Sequence, residues 1–129
     1  MLPVFSPDGK QLLLVSDRDG DTTQLYLLPV DGGEARPLTQ MPLGVGGGPA
    51  WSPDGRWIAY VTQHDDQGDV YVMRADGADP INLTDSQYAN DFQPTWTPDG
   101  QWVAFSAEAA GSADIWVVPA AGGQPVNLT

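Results

Sequence analysis

Asp17-Arg18-Asp19-Gly20-Asp21 places carboxylates at alternate positions. That spacing opens a calcium loop, in which oxygens at positions 1, 3 and 5 meet one ion. Such a loop also needs a bidentate acid at position 12, and Leu28 stands there. The run therefore reads as a solvated hairpin tip, and no metal site is expected. His64, within Gln63-His64-Asp65-Asp66, is the single histidine, and cysteine is absent. One histidine without cysteine does not build an ordinary zinc site inside one chain. A serine hydrolase of the common kind needs a Gly-x-Ser-x-Gly elbow for its nucleophile, and the sequence has none. No phosphate-loop lysine follows Gly46-Gly47-Gly48, so a nucleotide is not expected. Those glycines read instead as places where backbone passes closely. No catalytic residue and no cofactor is expected.

The positioning elements come from a repeat. Ser-Pro-Asp-Gly occurs at Ser6-Pro7-Asp8-Gly9 and Ser52-Pro53-Asp54-Gly55, and Thr97-Pro98-Asp99-Gly100 varies it by one residue. Leu-Thr pairs close each unit at Leu38-Thr39, Leu83-Thr84 and Leu128-Thr129, 45 residues apart. Residues 49–84 and 94–129 share 15 identities in 36 positions, too many for chance. The units are 1–39, 49–84 and 94–129, joined by connections 40–48 and 85–93. The first unit carries one extra residue between Ser16 and Gln24.

Each unit reads as four short strands. The first precedes the Ser-Pro-Asp-Gly turn. The second is 11–16, 57–62 or 102–106, and the third is 24–29, 69–74 or 114–119. The fourth ends in Leu-Thr. Proline pre-sets φ for the turn, and glycine takes its left-handed position. No stretch has a helical apolar period, so no helix beyond a single turn is expected. Trp57-Ile58-Ala59-Tyr60-Val61 and Val70-Tyr71-Val72-Met73 are apolar on both alternating sets. A strand apolar on both faces needs cover on both. Stacked propeller blades supply it, and a period of about 40–45 with four strands per repeat is the propeller signature.

Trp51, Trp96, Trp57, Trp102, Trp116, Tyr60, Tyr71 and Phe105 recur at matching positions, which predicts an inter-blade core. Residues that break the repeat are the candidates for binding. They lie in the connections and in the tips between second and third strands, at 17–23, 63–68 and 108–113, which share one face of a propeller. The candidate binding face is Asp19, Asp21, His64, Asp66, Tyr88, Asn90, Asp91 and Phe92. A rival reading makes the chain an enzyme-associated domain, or an oligomeric enzyme that gathers residues such as Asp91 and His64 from several chains into a site at the channel mouth.

Charge narrows the partners. Seventeen acidic residues against five basic give a net charge of −12 in 129 residues. Such a surface repels phosphate backbones and anionic lipid, so no nucleic acid is expected. No apolar run approaches the length of a membrane span, and the first residues do not read as a signal peptide. The absence of cysteine leaves the compartment open.

The repeat resembles the PD40 repeat of TolB-like β-propellers: an aromatic, Ser-Pro-Asp-Gly, an apolar strand, an Asp-Ile-Tyr-Val-like strand and a closing Leu-Thr. Trp51 to Gly55, Trp57 to Val61, Asp69 to Val72 and Leu83-Thr84 carry the pattern in the second unit. Trp96 to Gly100, Asp114 to Val117 and Leu128-Thr129 carry it in the third. The resemblance implies an all-β propeller of four-stranded antiparallel blades. It is specific for blade type and spans functions from envelope protein binding to gating domains of prolyl-oligopeptidase-like enzymes. It implies a periplasmic setting where it extends to compartment.

Family propellers usually have six blades, and this chain carries three. A ring completed by homo-oligomerisation is therefore expected, with six blades from a homodimer or nine from a homotrimer. Trp96, Trp102, Phe105, Ile115 and Trp116 are expected to form the apolar face that needs covering at one end. The function expected is a non-catalytic scaffold or a protein- or peptide-binding module.

Overall fold

The computed structural model describes residues 3–17, 20, 22–41, 44–46, 48–64, 67–84, 89–109 and 112–129. They form twelve strands in three four-stranded sheets. The first blade is β1 (Val4–Phe5), β2 (Gln11–Ser16), β3 (Gln24–Pro29) and β4 (Arg36–Pro37). The second is β5 (Ala50–Trp51), β6 (Trp57–His64), β7 (Gln67–Arg74) and β8 (Ile81–Asn82). The third is β9 (Ala89–Trp96), β10 (Trp102–Ala109), β11 (Ser112–Pro119) and β12 (Val126–Asn127). Neighbouring strands in each sheet are consecutive and antiparallel, as the expected meander requires. No helix occurs among the described residues.

The bounds of five strands differ from the sequence reading. Strands β6, β7, β10 and β11 each have eight residues, so pairing runs on to His64↔Gln67 and Ala109↔Ser112. The tips expected at 63–68 and 108–113 are thus mostly ladder. Strand β9 begins at Ala89, inside the segment expected to be a bare connection. Its pairing with β10 slips between Ala104 and Ser106 and again between Ser106 and Glu108. Pro94, which has no N–H to give a ladder, falls in the first slip, where a bulge tolerates it. In the second blade, Val45 makes an isolated bridge to Thr62, which puts part of the first connection beside β6 in the same way.

Strand alternation sorts each blade into a forward face, towards the next blade, and a back face. Leu13, Leu25 and Leu27 on the forward face of blade 1 pack against Ile58, Tyr60 and Met73 on the back of blade 2, with Val45 closing the cluster. Ala59, Val61, Val70, Val72 and Leu83 of blade 2 pack against Val103, Phe105, Ala107 and Val118 of blade 3. These side chains are buried. Each contributes about 1.5–3 kcal/mol if large and fully removed from water. Tyr60 stacks on Tyr71 with ring centroids 5.6 Å apart. Burial, with Tyr71 alongside, pushes the Tyr60 phenol well above its usual range.

The aromatic positions divide. Trp51, Tyr60, Tyr71, Trp96, Phe105 and Trp116 belong to the inter-blade clusters. Trp57 and Trp102 stay half-buried outside them, and the Arg74 guanidinium lies 5.0 Å from the Trp57 ring centroid. The bare end is also different from the expectation. Trp96, Phe105 and Trp116 face blade 2, because alternation turns them backward, and Trp102 is half-buried. Of the five residues expected there, Ile115 is exposed, together with Val126 and Leu128.

Candidate functional site

The described parts of the two connections, Val45 opposite Thr62 and Ala89 opposite Glu108, lie at the end of the blades where second strands pass into third. His64 closes β6, and Asn90, Asp91 and Phe92 lie in β9, with Phe92 opposite Ser106. Their side chains lie outside the described residues, and so do Asp19, Asp21, Asp66 and Tyr88 entirely. Backbone therefore gathers four of the eight candidates onto strand ends rather than loops.

A polar clasp ties the third and fourth strands together at this end of each blade. In blade 2, the buried Thr84 hydroxyl accepts from the Val70 N–H at 3.1 Å. Asn82 donates its amide to Asp69 Oδ2 at 3.0 Å and accepts from the Thr84 N–H at 3.1 Å. Blade 3 repeats the set with Thr129 on Ile115 N–H at 3.0 Å and Asn127 on Asp114 at 3.0 Å. In blade 1, Gln24 stands in place of the aspartate and Pro37 in place of the asparagine. The longer Gln24 side chain makes up the difference. Its carbonyl accepts from the Thr39 hydroxyl at 2.6 Å and the Met41 N–H at 3.0 Å. Its amide donates to Thr22 Oγ1 at 2.9 Å and the Met41 carbonyl at 2.8 Å. The Leu-Thr signature was plain in the sequence, but its partner set was not. The Asp69–Asn82 and Asp114–Asn127 pairs, each 13 residues apart, were the available signal.

The first connection is stitched to blade 1 by backbone. Val45 N–H donates to the Thr23 carbonyl at 2.8 Å, and the Thr23 hydroxyl donates to the Val45 carbonyl at 2.7 Å. The Gly46 N–H donates to the Val61 carbonyl at 2.7 Å, a close approach within the expected Gly46 to Gly48, and Gly44 makes another. At φ 88° it sits so near Thr23 that a Cβ would meet the Thr23 carbonyl oxygen at 2.8 Å. Gly48 faces open space, and Gly47 lies outside the described residues. A cleft of about 360 Å³ opens beside Thr22, Gln24, Tyr26, Pro37, Thr39 and Met41. Its walls are neutral among the described residues, and the Gln24 amide is already satisfied internally, so those residues offer no acid–base pair. Among the described residues, no group of three or more metal-binding side chains converges.

The opposite end carries the three Ser/Thr-Pro-Asp-Gly turns. The Ser52 hydroxyl donates to Asp54 Oδ1 at 2.6 Å and accepts from the Trp57 N–H at 3.0 Å, while the Arg56 N–H donates to the same carboxylate oxygen at 3.0 Å. Ser6-Asp8 and Thr97-Asp99 repeat this. Gly9, Gly55 and Gly100 close the turns at φ 73–74°. The hydroxyl donor first, then the backbone N–H, holds each of Asp8, Asp54 and Asp99 below the usual carboxylate range. These carboxylates are turn locks, not proton donors.

Comparison with known proteins bears on the whole arrangement. The PD40 family, described as the TolB beta propeller domain, matches residues 40–129. The uncharacterized peptidase YuxL of Bacillus subtilis (strain 168) is 55% identical over 56 residues, which is 43% of this chain and 8% of that protein. A TolB-type structure from Agrobacterium tumefaciens superposes with a TM-score of 0.87 at 30% identity, over 97% of this chain and 44% of the other. TolB from Acinetobacter baumannii has the same fold, with a TM-score of 0.82 at 24% identity, over 100% of this chain and 32% of the other. The chain thus spans less than half of each of these proteins. Three four-stranded blades, the turn locks and the family match over most of the sequence establish that the chain belongs to the PD40 family of TolB β-propeller domains.

Proposed function

We propose that this chain is a non-catalytic propeller scaffold that closes a ring with copies of itself and holds a protein or peptide on its connection-bearing end. One observation carries the reading. Val70 and Leu83 of blade 2 are 0% and 5% exposed beneath blade 3, whereas Ile115 and Leu128, at the same positions of blade 3, are 42% and 61% exposed. A forward face built like a buried one calls for a next blade. A back face of matching type is available on blade 1. The contact between the two is heterologous and must either close or run on as a filament.

Native mass spectrometry tests the assembly. Two or three copies of the 13.8 kDa chain weigh about 27.6 or 41.4 kDa. A well-folded 13.8 kDa species at micromolar concentration defeats the ring. The scaffold reading predicts that a peptide or protein is retained on the ring without being turned over.

A second reading is favoured by the 55% identity to a peptidase over part of the chain. In it the blades are an enzyme-associated domain, and Asp91 and His64 from several copies meet at the channel mouth. Loss of a measured turnover in an Asp91→Asn, His64→Gln double variant supports that reading and sinks the first.

A further inference from the structure

The two blade contacts inside the chain share one hydrogen bond. The Trp51 indole donates to the Val4 carbonyl at 3.2 Å, and the Trp96 indole donates to the Ala50 carbonyl at 3.0 Å. The donor always belongs to the innermost strand of the following blade. The acceptor always lies one residue before the matching aromatic in the preceding blade. Carried to the ends of the chain, the donor position is Phe5 and the acceptor position is Thr95. Val4, Ala50 and Thr95 hold the same register, opposite Leu13, Ala59 and Ala104. Their carbonyls are therefore oriented alike. Phe5 is 59% exposed, and its phenyl ring has no N–H to give.

We infer that Phe5 of one copy seats beside Thr95 of the next, in the place that Trp51 and Trp96 occupy inside the chain, and that the missing indole makes this the weakest contact of the ring. The inference rests on the self-closing reading above and adds which residues meet and which contact opens. The faces around the pair agree with it. Leu12, Leu14 and Leu28 on the back of blade 1 stand where Ile58, Tyr60 and Met73 stand on the back of blade 2. Ile115, Val117 and Leu128 on the front of blade 3 stand where Val70, Val72 and Leu83 stand on the front of blade 2. The occupant that fits the bare front is therefore blade 1 of a second copy.

Sedimentation velocity over a concentration series tests this with four chains: unaltered, Phe5→Trp, Phe5→Ala and Leu128→Asp. Phe5 is exposed in the single chain, so replacing it does not unfold a blade. Phe5→Trp supplies the absent donor at every seam, and a net hydrogen bond is worth about fivefold in an equilibrium constant. The dissociation constant of a two-seam ring is expected to fall by roughly tenfold or more. Phe5→Ala is expected to loosen the ring, and Leu128→Asp to leave folded monomer. If the unaltered chain assembles but Phe5→Trp fails to tighten it, or Leu128→Asp leaves it intact, the seam is wrong while the ring stands. If the unaltered chain stays monomeric throughout, ring and seam fall together, and blades of a longer polypeptide cover the face.

Discussion

Ser52 shows how much a single hydroxyl does in this fold. Its residue is buried, and its oxygen both locks Asp54 and satisfies the Trp57 N–H, which has left the ladder at the turn. Ser52→Ala orphans that N–H and releases the carboxylate. An expected loss of about 1–3 kcal/mol follows, read as a lower denaturant midpoint at unchanged slope. The carboxylates add a pH dependence. Asp8, Asp54 and Asp99 have folded values depressed below the ordinary 3.8. Their contribution is thus fully present above the unfolded value and is lost as pH falls through the lower folded value. Denaturant midpoints are expected to drop as pH is lowered from about 5 towards 2, and a triple Asp8→Asn, Asp54→Asn, Asp99→Asn variant should show a shallower acid limb. An equally steep limb in the triple variant would assign acid sensitivity elsewhere. The sequence made the turns legible, because proline and glycine at fixed offsets have one geometric use. It did not show that the serine hydroxyl turns inward to the aspartate.

At the scale of the strand pair, the clasp offers an internal control. Thr84 is fully buried and Thr129, its equivalent, is exposed. Thr84→Val keeps the shape and leaves the Val70 N–H without its acceptor, for an expected cost of about 1–3 kcal/mol. Thr129→Val in a dilute single chain leaves the equivalent Ile115 N–H to water and is expected to cost under about 0.5 kcal/mol. In a closed ring the two substitutions should converge, because Thr129 is then roofed as Thr84 is. Thermal unfolding at low and high protein concentration separates the cases. The strands themselves were legible from their doubly apolar runs. Their ends were not, since alternation fades at residues such as Gln63 and Glu108 while backbone pairing continues. The start of β9 at Ala89 was hidden for a similar reason: Asn90, Asp91 and Gln93 suit a loop by composition, and only the neighbour β10 makes them a strand.

For the molecule as a whole, charge and apolar surface oppose each other. Each copy carries −12, so the proposed association would bring like charges together while burying the bare front of blade 3. Salt screens the first and strengthens the second. Assembly is therefore expected to tighten as sodium chloride rises, and light scattering that showed rings dissolving in salt would mean that ion pairs hold the seam. The number and order of blades were legible because a 45-residue period leaves few alternatives. The bare end was misjudged where large aromatics were counted without asking which way each strand turned them. Trp96, Phe105 and Trp116 point back into the chain, and the uncovered surface is made of smaller aliphatic groups. What the candidate binding residues hold stayed illegible for the opposite reason. They break the repeat, and a repeat says nothing about what departs from it.

The indole-to-carbonyl bond between blades has a consequence for how such chains arise. In blade 2, donor Trp51 and acceptor Ala50 both lie in the innermost strand, at adjacent residues. A duplicated unit therefore inherits both halves of the joint and fits its parent on either side without further change. Lengthening by gene duplication and joining by assembly become two routes to one architecture. They differ in a peptide link and, in this chain, in the phenylalanine at position 5 where the other two units carry Trp51 and Trp96.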